Sequence, residues 1–325
     1  MRFQSLLLAV ALTGAAQAAE QVIIDTDPGT DDAMAILLAL NSPELEVRAL
    51  TVVHGNVPLR QGIQNALKLA ALAGRCDLPV AAGASRPLVG ENRTAESVHG
   101  ENGLGNVELD VRPCPIDPRF GPDRIIEMVH NQPGALTLVP IGPLTNIALA
   151  VLKDPSIVPL VKEVVLMGGA VSGGNATAVA EFNIWGDPEA AQVVFRADWP
   201  LTMVGLDVTE KTVFTPAHLD QLIQSRGPQT DFAAQVFAFM FERMKKYGRS
   251  GMSMHDPLAV GYVIDRSLLH TQCFPVEVET DGKLTRGATV ADRRRREPAE
   301  RCAHVGLEVA ADRFLRLFTT RLQGK

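Results

Sequence analysis

Four aspartates crowd into the eight residues Asp25-Thr26-Asp27-Pro28-Gly29-Thr30-Asp31-Asp32, with no Lys, Arg or His among them. Carboxylates this close repel one another unless a cation lies between them, so the segment reads as a metal loop. Its ligands are hard oxygens with no Cys or His interleaved, which favours Ca2+ or Mg2+ over zinc. A plainer reading is that Asp31 or Asp32 only caps a helix beginning near Ala33, since acidic residues suit a first helical turn. Capping accounts for one or two of the carboxylates and leaves the others unexplained.

The apolar run at 22–24 predicts a strand just before this loop, which puts the loop at a strand's carboxyl end, where open α/β sheets bind ligands. Further apolar runs at 47–53, 78–82, 135–139, 161–167 and 201–208 alternate with helix-period segments at 33–40, 65–73, 124–131, 145–153 and 189–197. That alternation predicts an α/β fold, an open and mostly parallel Rossmann-like sheet. The runs are continuously apolar, so helices should cover both faces. After helical stretches at 231–246 and 257–263 come strand-like pieces at 274–279, 284–290 and 304–309, then a closing helix at 312–322. These predict a small C-terminal β-rich appendix, with Asp281-Gly282 as a hairpin-turn signal.

Composition narrows the function. The first eighteen residues combine Arg2, an apolar core at 6–13 and the small-x-small triplet Ala16-Gln17-Ala18, which reads as a signal peptide over 1–18. Residues 19–325 then form one domain, expected in the periplasm or, failing that, secreted. No later run is long and apolar enough to anchor it in a membrane. The net charge of −6 gives no reason to expect nucleic acid as a partner, and the basic run Arg293 to Arg296 reads as a solvated loop. The cysteines Cys76, Cys114, Cys273 and Cys302 form an even set without CxxC spacing. If the strands at 274–279 and 304–309 lie side by side, Cys273 and Cys302 can pair, leaving Cys76 with Cys114; four reduced, buried thiols are the competing reading.

Other polar motifs stand where strands hand over to loops: His54-Gly55-Asn56-Val57, Val98-His99-Gly100-Glu101-Asn102-Gly103-Leu104-Gly105, Ile141-Gly142-Pro143-Leu144-Thr145-Asn146, Met167-Gly168-Gly169, Glu181-Phe182-Asn183 and His255-Asp256-Pro257. All could converge on one rim of the sheet. Aspartate-nucleophile phosphatases also carry an Asp-x-Asp after a first strand, but usually follow it with Thr and a hydrophobic residue. Here Pro28-Gly29-Thr30-Asp31-Asp32 follows, and the strand with its acidic loop resembles the signature of the nucleoside hydrolase family. With the other motifs in the family's order, the resemblance runs from about residue 21 to 322.

The resemblance implies a Ca2+-dependent hydrolase that cuts the N-glycosidic bond of ribonucleosides. It implies Asp27, Asp32, the Ile141 carbonyl and Asp256 as ligands of one Ca2+, with Asp25 supporting the loop. Asp31, Asn56, Met167, Glu181 and Asn183 would contact the ribose. In an extended segment Glu181 and Asn183, two apart, would project to one side. Asp27 would be the general base toward the attacking water, and His255, with His99 as second candidate, would protonate or hydrogen-bond the departing base. A His at 255 resembles the branch that takes inosine and other purine nucleosides, often with uridine. The loops at 84–96 and 224–251 are expected to set base preference, and a homodimer or homotetramer is expected. The rival from another class is an exported nucleoside- or sugar-binding protein without turnover.

Overall fold

The computed structural model describes residues 18–294 and 301–324. Residues 1–17 of the proposed export segment lie outside it, as does the second half of the basic run. In chain order the strands are β1 (Glu20–Thr26), β2 (Leu45–Val52), β3 (Val80–Ala82), β4 (Leu136–Pro140), β5 (Glu163–Met167), β6 (Leu201–Val204), β7 (Val213–Phe214), β8 (Met252–Ser253), β9 (Leu269–Phe274), β10 (Val276–Val278), β11 (Thr289–Ala291) and β12 (Ala303–Val309). Between them run α1 (Thr30–Leu40), α2 (Leu59–Leu72), α3 (Glu96–His99), α4 (Gly121–Asn131), α5 (Thr145–Lys153), α6 (Phe182–Gly186), α7 (Pro188–Arg196), α8 (Leu206–Thr209), α9 (Pro216–Leu222), α10 (Pro228–Lys245), α11 (His255–Ile264) and α12 (Ala311–Leu322).

One eight-stranded sheet, ordered β3-β2-β1-β4-β5-β6-β12-β9, is parallel except for β9 at its edge. Successive residues of β1 face opposite sides: Val22 and Ile24 pack with α1, α11 and α12, while Ile23 packs with α4, α5 and α7. Both faces are covered, which is why the strands read as unbroken apolar runs. The chain builds outward from β1 to β3, then returns to start β4 on the other side of β1. Strand order therefore reverses between β1 and β4, and the crevice beyond their carboxyl ends is where such sheets bind ligands.

The β-rich C-terminal part divides. β12 and β9 extend the main sheet, and only β10 and β11 stand apart as a two-stranded antiparallel pair. The predicted strand at 274–279 is broken at Pro275, which cannot donate a ladder hydrogen bond, so β9 ends before it and β10 begins after it. Asp281-Gly282 does not make a two-residue hairpin, because the connection between β10 and β11 spans 279–288 and only 289–290 of the predicted 284–290 piece pairs, as part of β11. The run 201–208 is a strand only to Val204; Leu206 turns into α8.

Both expected disulfides are present, Cys76–Cys114 and Cys273–Cys302, with Cα–Cα distances of 5.1 and 5.5 Å. Cys273 lies opposite His304 in the β9–β12 ladder, so strand pairing brings the two thiols together. Both bridges sit at the amino ends of β3 and β12, away from the crevice. Replacing Cys273 and Cys302 together by Ser is expected to cost about 3 kcal/mol of stability, by the loop-closure entropy the bridge removes. Thermal melting checks it, and an unchanged Tm would contradict that contribution.

Candidate active site

The acidic loop is shaped by the start of α1. Gly29 is its N-cap and Thr30 its first residue, three positions earlier than predicted from apolar periodicity alone. Asp32 does cap the helix, accepting the Gly29 N–H at 2.9 Å, but it also accepts from Thr26 Oγ1 at 2.6 Å and Asn56 Nδ2 at 2.9 Å. Asp27 Oδ2 accepts the Asn56 N–H at 2.6 Å. Its side chain is gripped between two glycines: a Cβ on Gly55 would lie 1.9 Å from Oδ2, and one on Gly142 would lie 2.5 Å from Oδ1. Gly55 also has φ +155°, so a side chain there is both strained and excluded. Beneath the loop Asp25 accepts from Thr51 Oγ1 at 2.5 Å and Asn146 Nδ2 at 2.7 Å, tying β1 to β2 and α5.

Glu181 and Asn183 are not in an extended segment. Glu181 is the N-cap of α6, and its carboxylate accepts the N–H groups of Asn183, Ile184 and Gly169. Its acidic side chain satisfies N–H groups at a helix start, so the backbone turns there instead of continuing extended. Asn183, inside the helix, donates from Nδ2 to the carbonyls of Ile141 at 2.9 Å and Met167 at 3.1 Å. It therefore pins the ends of β4 and β5 to each other.

These residues floor a cavity of about 440 Å³ beyond the carboxyl ends of the strands. Asp31, Asn56, Ile141, Met167, Glu181 and Asn183 line it, with His99, His255 and Asp256. Asp25, Asp27 and Asp32 lie fully buried just below. Asp31, Asp32 and Asp256 each bring a carboxylate oxygen within 4.8 Å of the others, which makes them a candidate metal cluster. Among the described residues none of the five aspartates pairs with a Lys or Arg. Buried oxygens of Asp25, Asp27 and Asp31 have no hydrogen-bond partner. Such a donor set fits a hard cation.

Burial pushes Asp25 up to about 7 and Asp31 up to about 6, and it raises Asp32 as well. Asp27 and Asp256 are raised further, first by burial and then by the neighbouring aspartate charges. Burial likewise brings Glu181 to about 7 and lowers both His99 and His255 to about 4. The two histidines are held differently. His99 Nδ1 accepts the Thr30 N–H at 3.1 Å, so satisfying an orphan donor of α1, and also meets the Thr30 hydroxyl at 2.8 Å, whereas His255 Nδ1 meets the Thr209 hydroxyl alone at 2.8 Å among the described residues.

Several lining residues carry no motif and were not singled out in the sequence. Met240 and Met244 come from α10, Tyr247 and Arg249 from the turn after it, and Glu210 from the end of α8, where it pairs with Arg249 at 3.2 Å. Those from α10 and its turn fall in the 224–251 stretch expected to set base preference, but of the 84–96 stretch only Ala95 reaches the cavity. Asn175 and Ala176 line it from the loop before α6, announced only by the preceding Gly173-Gly174.

The family model described as inosine-uridine preferring nucleoside hydrolase matches residues 22–316. The chain belongs to that family. It is 43% identical over 296 residues to the inosine-uridine preferring nucleoside hydrolase of Leishmania major, covering 90% of this chain and 94% of that protein. A pyrimidine-specific ribonucleoside hydrolase of Salmonella arizonae is 38% identical, over 93% of this chain and 98% of its own. Among solved structures, the purine-preferring ribonucleoside hydrolase from Gardnerella vaginalis matches with a TM-score of 0.88 at 36% identity, covering 94% of this chain and 98% of that one. Relatives of similar identity thus carry different base preferences in their names, so family membership leaves the base open.

Proposed function

We propose that this chain hydrolyses the N-glycosidic bond of ribonucleosides to ribose and free base, with Ca2+ held by Asp27, Asp32, the Ile141 carbonyl and Asp256. The observation that carries this reading is the buried, uncompensated carboxylate cluster at the floor of the cavity. Bound Ca2+ would supply the positive charge that acidifies a water and holds the ribose diol. Asp31, which lines the cavity, would accept from a sugar hydroxyl, and Asn183 donates to the Ile141 and Met167 carbonyls. Asp27 takes a proton from the attacking water as its oxygen joins C1′. The electron pair of the C1′–N bond leaves with the base, which His255 meets as a hydrogen donor. Positive charge building on the ribosyl ring lies over the carboxylates, whose field offsets it.

The test is a turnover panel of inosine, adenosine, guanosine, uridine and cytidine with and without chelator. Free base released in Ca2+ and lost in chelator is expected; tight nucleoside binding with no release would favour a binding protein. Stability gives a second readout. Carboxyls raised toward 7 take up protons in the metal-free folded state that the unfolded chain, titrating near 4, does not. Metal-free stability should therefore fall as pH rises from about 4 to about 7. Added Ca2+ should remove that fall, and melting curves at pH 5 and 7.5 that are equal without metal would count against a cation site.

We also propose export to the periplasm, which the two disulfides support because they persist in an oxidising compartment. Cell fractionation tests it, with cytoplasmic recovery the contrary result.

A further inference from the structure

We infer that Thr209 is a positioning residue that decides which nitrogen of His255 faces the leaving base; this rests on the reading that His255 serves that base. Thr209 is fully buried, and its Oγ1 has no hydrogen-bond partner among the described residues other than His255 Nδ1 at 2.8 Å. The contact is held in register by its surroundings. β7 and β8 pair Val213 with Ser253 and Phe214 with Met252, and the Met254 N–H donates to the Thr212 carbonyl at 2.9 Å. The segment ending α8 and the segment opening α11 are thus clamped together, with Thr209 on one and His255 on the other.

A hydroxyl can donate and accept. Toward a neutral ring Thr209 can donate to Nδ1, the arrangement the inference takes, which leaves the ring's one hydrogen on Nε2. Toward a charged ring it accepts from Nδ1–H, and Nε2 again carries a hydrogen. With Nδ1 engaged on the buried side, Nε2 is the nitrogen left for the cavity that His255 lines. With Thr209 as donor to the neutral ring, Nε2 presents a hydrogen in either charge state, which is what a base departing with an electron pair requires. At His99 both the hydroxyl of Thr30, at 2.8 Å, and its backbone N–H, at 3.1 Å, engage Nδ1, and because the N–H can only donate it opposes a hydrogen on that nitrogen. Of the two histidines in the cavity, His255 is the one whose Nδ1 meets a hydroxyl without a backbone N–H beside it among the described residues.

Valine matches threonine in shape and removes the hydroxyl. Thr209→Val is expected to lower kcat for inosine by about 10- to 100-fold, with KM changed by no more than about twofold. Hydrolysis of p-nitrophenyl β-D-ribofuranoside, whose phenolate leaves without a hydrogen donor, should stay at the wild-type rate. Thr209→Ser should restore inosine turnover, and Thr209→Val added to His255→Ala should bring no further loss. Thr209→Ala gives the same readout if valine lowers the melting temperature. Equal loss on both substrates, or a rise in KM alone, would assign Thr209 a purely structural role and overturn the inference. If His255→Ala slows inosine while Thr209→Val does not, the inference falls and the proposed function stands. Inosine turned over at the wild-type rate by His255→Ala would remove the role of His255 and this inference with it.

Discussion

Asp27→Asn is expected to lower kcat by about 10²–10⁴-fold, the range for a lost general base, in a protein that still folds. Folding should survive because the amide oxygen can take over the Asn56 N–H bond and the side chain keeps its slot between Gly55 and Gly142. Function should not, because the partnerless Oδ1 becomes, or exchanges with, an NH2 group that cannot accept a proton from water. Single-turnover kinetics on inosine with saturating Ca2+ make the comparison. If the folded variant keeps more than about a tenth of wild-type kcat, another residue is the base.

The second large effect concerns the sugar. A 2′-deoxynucleoside should be disfavoured by about 10⁴-fold in kcat/KM relative to its ribonucleoside, since a site built to bond a hydroxyl leaves its polar groups unpaired when that hydroxyl is missing. Asp31 motivates this: it is almost fully buried at the cavity wall and its Oδ1 has no hydrogen-bond partner. Comparing inosine with 2′-deoxyinosine is sufficient. Similar kcat/KM values would mean that the carboxylates do not grip the diol.

What could be read in the sequence was what local chemistry dictates. Four aspartates without a counter-charge, placed after an apolar strand, announce a cation site at the carboxyl end of that strand, and the cluster of Asp31 and Asp32 is there. Its third member, Asp256, comes from a helix start far along the chain and was reached through the resemblance. The parallel strands were legible because burial on both faces leaves unbroken apolar runs. Glu181 and Asn183 were misplaced because two polar residues two apart fit a strand equally well, and only the Gly169 and Asn183 N–H groups choose the helix cap. Met240, Met244 and Thr209 were invisible as site residues. Their types are ordinary for helices, and what brings the two methionines to the cavity and Thr209 to His255 is the packing of α10 and α8, which no local spacing encodes.

The place of β12 has a consequence for how the molecule is made. It fills the gap between β6 and β9, and among the described residues β9 has no other strand beside it. A chain made only as far as residue 302 would leave the β6 edge open and β9 without a ladder, so two of the eight strands cannot settle until Ala303–Val309 has been made. Pairing between strands so far apart in sequence is slow, because loop closure must come before the contacts that reward it.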